Sequence, residues 1–312
     1  MAYRIGIDIG GTKIASGLVD ENYRILLKKT IPTLSERPYM EIIEDMAQMV
    51  RELISEAGID SSEIAGIGIG CAGAPDRKNG TILYSNNLGW YNVPLAGELG
   101  KLLGIPVSID NDANAAALGE TLAGSAKGSS CVVMITLGTG VGGGIIIDGK
   151  IFAGSHHTGA EAGHHVIVSG GEPCTCGRKG CYEAYASTTA LIRMAEKSAR
   201  MHPESQLASS LRENGRLNGM LIFNAVHQGD ETARKVLDEY LFYVSEGLVN
   251  LVNIFDPEKI VIGGGISAQG ELILEPVRRR LAQNVFCKAV PLPEVVCATL
   301  GNDAGIIGAA YV

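Results

Sequence analysis

The sequence predicts an α/β protein of about two domains with a duplicated plan, and three observations predict it. A strand–glycine-turn–strand unit opens the chain at residues 3–20, and a similar unit returns at residues 131–147. After each unit the apolar residues change from the period of a strand to that of a helix. A length of 312 residues suits about two domains of roughly 100–200 residues, each able to bury a proper core. The expected division is a smaller α/β domain over 1–117 together with a C-terminal helix at 300–312. A larger α/β domain over 118–299 carries a cysteine-rich loop.

The elements follow in order. Residues 3–9 read as a strand, Gly10-Gly11-Thr12-Lys13 as a turn, and a second strand runs on toward Val19. A third strand over 23–31 follows the Glu21-Asn22 turn. Ile42, Ile43, Met46, Met49, Val50, Leu53 and Ile54 recur at helical spacing, with Pro38 near the start and Gly58 just past the end. Residues 64–71 read as a buried strand entering another glycine turn, and 106–120 as a strand ending near Asp110 with a helix from near Ala113. In the second half, 131–137 is a strand, 138–143 a glycine turn, 144–147 a strand, and 150–152 suits a third. Helical patterns cover 188–200 and 231–255, the latter stopped by Asp256-Pro257. Residues 260–266 read as strand into turn, and the polar stretch 201–218 as either helix or loop.

Composition excludes several classes. Apolar residues make up 46% and mean hydropathy is +0.17, so the chain is not disordered. With 26 basic against 34 acidic side chains, the net charge of -8 argues against a surface that grips nucleic acid or anionic lipid. Any bound phosphate must therefore be held by local geometry. Glycine, at 41 residues, is about twice its usual share of roughly 7%. The longest uncharged stretch, 131–147, is broken by five glycines and falls short of the roughly 20 residues of a spanning helix. The first apolar run carries Arg4 and Asp8 and is too short for a signal-peptide core, so no leader and no membrane span are expected. Seven cysteines, three of them crowded at Cys174, Cys176 and Cys181, point to a reducing cytoplasm and a metal site rather than a disulfide framework.

Glycine turns between strands aim backbone N–H groups at an anion with no Cβ in the way. Three occur, at Gly10-Gly11-Thr12-Lys13, Thr136-Leu137-Gly138-Thr139-Gly140 and Gly263-Gly264-Gly265; taken singly, each reads equally as a tight hairpin. No P-loop run is present. Gly138, Gly140 and Gly143, like Gly68, Gly70 and Gly73, match the dinucleotide fingerprint in spacing. One set leads into a strand and the other into Ala74-Pro75-Asp76, whereas that fingerprint opens a helix. What remains is a phosphate clamp of two opposed hairpins. Asp8 beside the first suits a hydrated Mg2+, or else caps a turn.

Two further constellations carry chemistry. Asp112, at the strand-to-helix junction, reads from pattern as an N-cap or as the general base that takes a sugar hydroxyl's proton in phosphoryl transfer, with Asn111 orienting hydroxyls. Pattern does not choose between Asp110 and Asp112. Cys174, Cys176 and Cys181 with His164 or His165 make a closed, structural zinc site in a turn-rich loop marked by Gly177 and Gly180. Glu161 and Glu183 flank the cluster, as surface charge or as acceptors for substrate hydroxyls.

These pieces together resemble the ROK family (repressors, open reading frames and sugar kinases), and within it the bacterial glucokinases. The match spans nearly the whole chain. It comprises Asp8-Ile9-Gly10-Gly11-Thr12-Lys13, Gly73-Ala74-Pro75, Asn86-Asn87-Leu88-Gly89-Trp90, Asp110-Asn111-Asp112-Ala113-Asn114, residues 137–143, Glu161-Ala162-Gly163-His164, residues 174–183 and residues 262–267. The resemblance implies an actin-like (ribonuclease H-like) ATPase fold of two domains with a cleft between them holding sugar and ATP. It makes Asp112 the base, and Gly73, Asn87, Asn111, Glu161, His164 and Glu183 the sugar contacts. It selects His164 as the zinc ligand, assigns the first two glycine turns (Gly10 to Lys13; Thr136, Gly138, Thr139, Gly140) to phosphates and Gly263, Gly264 and Gly265 to the adenosine side. It implies ATP-dependent hexose phosphorylation, most simply of glucose, with Mg2+ and structural Zn2+, in a homo-oligomer without nucleic-acid or membrane partners. A kinase for N-acetylhexosamines or fructose shares every motif. A sugar-responsive transcriptional regulator is disfavoured because the first strand begins at Tyr3, where such regulators place a helix-turn-helix. Asp76 departs from the pattern, where many members carry glycine after the proline, and Ala162 replaces a bulkier aliphatic.

Overall fold

The structure, a computed structural model, describes residues 3–312. In chain order the elements are β1 (Tyr3–Ile9), β2 (Lys13–Val19), β3 (Ile25–Pro32), α1 (Tyr39–Ala57), β4 (Ile64–Cys71), β5 (Ala74–Asp76), β6 (Thr81–Ser85), β7 (Trp90–Val93), α2 (Leu95–Leu103), β8 (Val107–Asn111) and α3 (Asp112–Leu122). Then come β9 (Val132–Leu137), β10 (Val141–Ile147), β11 (Lys150–Ile151), α4 (Glu183–Ala186), α5 (Thr188–Met201), α6 (Gln206–Asn214), α7 (Gly219–His227), α8 (Glu231–Phe255), β12 (Lys259–Gly263), α9 (Glu271–Asn284), β13 (Glu294–Cys297) and α10 (Asp303–Ala309). Two five-stranded sheets have the orders β3-β2-β1-β4-β8 and β11-β10-β9-β12-β13. Each places the third, second, first, fourth and fifth of its strands side by side, so the duplication read from the glycine turns extends to whole sheets. Among the described residues no helix is long and apolar enough to cross a membrane.

One compact unit comprises the residues up to 134, 144–160 and 298–312. In its sheet β1 runs antiparallel to β2 and parallel to β4, and β4 parallel to β8. The pleat divides the side chains. Ile5, Ile7 and Ile9 of β1 and Ile67, Ile69 and Cys71 of β4 join one core with Ile42, Ile43, Met46 and Val50 of α1 and Leu95 and Leu99 of α2. The alternate positions are small. A Cβ on Gly6 would fall on the Ile306 carbonyl oxygen and one on Gly68 on that of Ala309, so α10 lies directly on the backbone of β1 and β4. Gly119 and Gly308 do the same between α3 and α10, where added Cβ atoms would strike the Ala304 and Ala115 carbonyls. The fully buried Glu120 of α3 accepts from the backbone N–H groups of Thr299 (2.9 Å) and Leu300 (2.8 Å) through Oε1, and from that of Ser125 (2.8 Å) through Oε2. A small antiparallel sheet, β5-β6-β7, completes the unit, with Ile82, Trp90 and Val93 turned into its core.

The second unit comprises 135–143 and 161–297. Its long helix α8 starts at Asp230, whose carboxylate accepts from the N–H groups of Thr232 and Ala233, and stops at Asp256 in the left-handed region at φ 45. The Tyr182 hydroxyl, in a fully buried side chain, donates to the Val244 carbonyl of α8 at 2.8 Å, and the Tyr240 hydroxyl donates to the Ala186 carbonyl at 2.6 Å.

Several expectations are refined. The compact units divide the chain at other places than 117/118 and 299/300, because α3 and the strands that return at 144–151 pack with the first unit. The second glycine turn is shorter than 138–143. β10 already begins at Val141, and its Gly144 lets α3 approach so closely that a Cβ would meet the Ala113 carbonyl at 2.6 Å. The third strand starts at Ile25, because Tyr23 sits in the turn with φ 63. Within 201–218 the chain forms α6, capped by Ser205 at its start and by Gly215 in the left-handed region at its end.

The glycine face yields a contrast to measure. Gly68→Ala is expected to destabilise the protein by about 3 kcal/mol or more, since the new Cβ must displace α10 backbone. Gly97→Ala in α2, where nothing lies within 4 Å of the added Cβ, should stabilise by about 0.5–1 kcal/mol. Urea unfolding of both variants checks the pair, and equal effects would contradict the packing described.

Candidate active site

The strand register of the first unit gathers its chemistry. Asp8 pairs with Gly70 across β1 and β4, and Gly70 with Asp110 across β4 and β8. One residue beyond β8, α3 begins at Asp112. Gly70 permits this approach, since its added Cβ would lie 3.1 Å from the Ala115 Cβ and 3.6 Å from the Asp112 Cα. The N-cap of α3 is Asn111, not Asp112. The Asn111 Oδ1 accepts from the N–H groups of Ala113 (2.8 Å) and Asn114 (3.3 Å), while its Nδ2 donates to the Gly73 carbonyl at 3.1 Å. The capping reading of Asp112 therefore fails, because its neighbour takes that role. Asp110 is also separated from Asp112: fully buried, it is bound through Oδ1 to the Asn111 N–H and Asn114 Nδ2, whereas Asp112 is half-buried.

The first glycine turn closes through the Gly10 N–H donating to the Lys13 carbonyl at 2.9 Å. Thr33, buried and without any local sequence signal, braces it. Its hydroxyl donates to the Gly10 carbonyl at 2.7 Å, and its N–H donates to the Thr12 carbonyl at 3.1 Å. Asn87, in the exposed turn after β6, lies against this loop, since a Cβ on Gly11 would meet the Asn87 carbonyl at 3.0 Å. Gly73, at φ 130, leaves no room for a Cβ, which would fall on the Tyr84 carbonyl. Asp76 ties its own turn. It accepts from the Lys78 and Asn79 N–H groups and the Asn79 amide, and the Asn79 bonds chiefly hold its carboxyl below the usual range.

In the second unit the other two turns pack together. The Gly138 N–H donates to the Gly140 carbonyl (3.0 Å), the Thr188 N–H to the Gly138 carbonyl (2.8 Å) and the Thr189 hydroxyl to the Thr139 carbonyl (2.8 Å). Gly264, at φ 83, sits where a Cβ would fall on the Leu137 carbonyl. Glu183 is shared: Oε2 accepts from the Val141 N–H at 3.0 Å and Oε1 from the Thr175 hydroxyl at 3.1 Å. Glu161 precedes the short helical turn Ala162–His164, and its carbonyl accepts the His164 N–H. The small Ala162 side chain is buried without disturbing that turn.

His164, Cys174, Cys176 and Cys181 bring their ligand atoms within 4.8 Å of one another. His164 Nδ1 lies 3.6 Å from the Cys174 Sγ, while His165 points its Nδ1 at the Ala162 carbonyl, 2.6 Å away, with its ring tilted against Tyr182. The choice between the two histidines thus falls on His164. Three thiols and one imidazole at this spacing fit a zinc ion as a donor set. Burial pushes the Cys181 thiol up to about 12, and the Arg178 N–H draws the Cys176 thiol down.

Electrostatically the Asp8 and Asp112 carboxylates of the first unit work against each other. Burial and the neighbouring Asp112 charge raise Asp8 from 3.8 to about 6, against the pull of Lys13 and Lys28. Burial likewise raises Asp112, against the Ala113 N–H. Between pH ~4 and ~6 the folded chain therefore holds a proton on Asp8 that the unfolded chain has lost, and stability from this group falls as pH rises through about 6. Asp8→Asn is expected to stabilise the ligand-free protein at pH 7.5 by about 1–3 kcal/mol while removing that pH dependence. Urea titrations at pH 4.5 and 7.5 measure it, and a variant no more stable than the parent at pH 7.5 would contradict the Asp8 environment.

The chain is similar to known proteins along nearly its whole length. The ROK family model matches residues 4–312. The glucokinases of Thermotoga maritima and Halalkalibacterium halodurans are each 38% identical, over 309 and 308 residues, covering 99% and 98% of this chain and 96% and 93% of their own. The crystal structure of a ROK family glucokinase from Streptomyces griseus in complex with glucose and AMPPNP superposes with a TM-score of 0.80 at 38% identity, covering 99% of this chain and 98% of that one. The repeated sheet order is that of the two-domain, actin-like ATPase fold. By its glycine turns, its Asn111-Asp112 junction, its cysteine loop and a match along nearly its whole length, the chain belongs to the ROK family.

Proposed function

We propose that this chain transfers the γ-phosphoryl group of ATP to the 6-hydroxyl of glucose, with Asp112 as general base. The observation that carries the reading is a half-buried carboxylate at the β8–α3 junction, raised in pKa by burial, beside Asp8 and in the same unit as a glycine turn. The glucokinase relatives, and glucose with AMPPNP in the Streptomyces griseus enzyme, support the choice of sugar and donor.

A sugar hydroxyl is a weak nucleophile until its proton is taken, and a positioned base contributes roughly 10²–10⁴-fold. Asp112 accepts that proton as the oxygen attacks the γ-phosphorus, and its raised pKa favours holding it. The bond to the β-phosphate oxygen breaks and ADP leaves. Backbone N–H groups of the turns at Gly10 to Lys13 and Thr136 to Gly140 stabilise the spreading charge, and Gly263, Gly264 and Gly265 take the adenosine side. The Asp8 carboxylate, desolvated beside the Asp112 charge and only partly countered by Lys13 and Lys28, calls for a cation. Asp8 would hold a hydrated Mg2+, which neutralises phosphate charge when bound. Asn87, Glu161, His164, Glu183 and the amide hydrogen of Asn111 not given to Gly73 hold sugar hydroxyls.

Zinc on His164 Nδ1, Cys174, Cys176 and Cys181 would act structurally, fixing the loop that bears His164 and Glu183 and leaving His164 Nε2 for substrate. Such a thiol cluster, able to hold a metal only when reduced, fits a reducing cytoplasm.

Asp112→Ala should lower kcat about a thousandfold or more, with glucose affinity kept within a few-fold, as read by a coupled ADP assay and by calorimetry. Near-normal turnover would remove Asp112 from the chemistry. The same assay across glucose, mannose, fructose, N-acetylglucosamine and N-acetylmannosamine tests the sugar, and a preference for an N-acetylated sugar would overturn glucose. Cys176→Ala, or stripping the metal with a chelator, should lower both zinc content by emission spectrometry and activity, by about tenfold or more. Full activity in a metal-free sample would count against the bracing role.

A further inference from the structure

Asp110 poses an electrostatic problem that its own strand does not solve. Its carboxylate is fully buried, and a charge so placed needs a partner. Oδ1 accepts from the Asn111 N–H (2.7 Å) and the Asn114 Nδ2 (3.0 Å). Oδ2 receives no hydrogen bond among the described residues and faces the Arg77 guanidinium, whose Nη1 lies 3.1 Å away. Arg77 is thus the cation set against Asp110, and the contact is one of charge rather than of directed hydrogen bonding.

Arg77 is itself held from below. It directly follows β5, in the turn that Asp76 ties through the N–H groups of Lys78 and Asn79. At the other end of β5, the Gly73 carbonyl accepts from the Asn111 amide at 3.1 Å. Consecutive residues of β8 thus grip the two ends of one short strand: Asp110 holds Arg77, and Asn111 holds Gly73. The next residue is Asp112.

We propose that Arg77 is a positioning residue for phosphoryl transfer: by neutralising buried Asp110 it fixes the β5–β6 hairpin and the β8–α3 junction in the register that aims Asp112. The proposal rests on the kinase reading above. Reacting atoms must be held within a fraction of an ångström, and a displacement of about 1 Å is enough to lose roughly a hundredfold in rate. Without the guanidinium, the Asp110 carboxylate has to take up a proton, draw in water or swing outward, and each of these disturbs the bonds by which it holds the Asn111 N–H and Asn114 Nδ2 on either side of Asp112.

The test is a double-mutant cycle in kcat and KM with glucose, ATP and Mg2+, with urea unfolding confirming that each variant is folded at the assay temperature. Arg77→Ala should lower kcat about 10–100-fold with KM for ATP within about threefold. Arg77→Lys should recover most of the loss. Asp110→Asn keeps the Oδ1 acceptor and removes the charge, so adding it to Arg77→Ala should restore kcat at least about fivefold. A passive structural contact would show no such rescue. Should Arg77→Ala fail to fold, the lysine variant and the double variant carry the same comparison. An Arg77→Ala enzyme within about threefold of the parent in kcat, or a loss that Asp110→Asn does not recover, overturns the proposal while leaving the kinase reading intact. A parent chain that phosphorylates no hexose overturns the kinase reading, and this proposal with it.

Discussion

The close approach of α3 and α10 to the glycine face of β1 and β4 is the constraint on which the rest of the first unit depends. A pleated sheet offers two faces, and here one is isoleucine and the other is nearly bare backbone. The isoleucine face buries α1 and α2 and supplies the hydrophobic stabilisation. The bare face contributes little burial per residue, but it lets two helices sit at backbone distance, with carbonyls of Ile306 and Ala309 where side chains would otherwise stand. That closeness brings the first residue of α3 beside the end of β1. A Cβ at Gly70 would crowd the Ala115 Cβ at 3.1 Å, so α3 would have to give way by a few tenths of an ångström just where the Asp112 charge acts on Asp8. Much of the glycine excess thus sets the distance between elements and does not serve turns alone.

That proximity has an electrostatic consequence. Asp8, Asp110 and Asp112 collect at the ends of neighbouring strands, and each is handled differently. Asp110 is neutralised by Arg77, Asp8 is countered only partly by Lys13 and Lys28, and Asp112 is left with the backbone N–H groups of Ala113 and of its own residue. The two that stay unsatisfied are the two to which the proposed chemistry gives a cation or a proton. Local strain of this kind marks functional sites, because a fully paired carboxylate has neither affinity for magnesium nor basicity toward a hydroxyl.

Legibility in the sequence followed the range of the interactions. α1 was readable because its apolar period, Pro38 and Gly58 are all local, and Gly58 indeed closes the helix in the left-handed region. The cysteine spacing and the glycine turns were readable for the same reason. Asn111 and Asp112, by contrast, are both good caps and adjacent, so only the β8–α3 geometry shows that Asn111 takes the cap. His164 and His165 were separable only once the Ala162 carbonyl was seen to occupy the His165 ring. Thr33 and Arg77 left no trace, since each acts on residues more than twenty positions away. The β5-β6-β7 sheet was missed because its strands are short and present exposed aromatics, Tyr84 and Tyr91, outward.

In the second unit one carboxylate joins two features that the sequence presents as separate motifs. Glu183 holds the N–H that follows the Thr136 to Gly140 turn and, through its other oxygen, the Thr175 hydroxyl between two of the cluster cysteines. Gly140 has to be glycine for this, because a Cβ there would occupy the carboxylate's place. The cysteine loop and the proposed phosphate turn are therefore mechanically continuous. A metal that fixes Cys174 and Cys176 would also fix Thr175, hence Glu183, hence the Val141 N–H at the end of the turn. Zinc bound there would act on turnover by this route as well as through His164, because rigidity in the loop becomes rigidity in the groups proposed to meet phosphate.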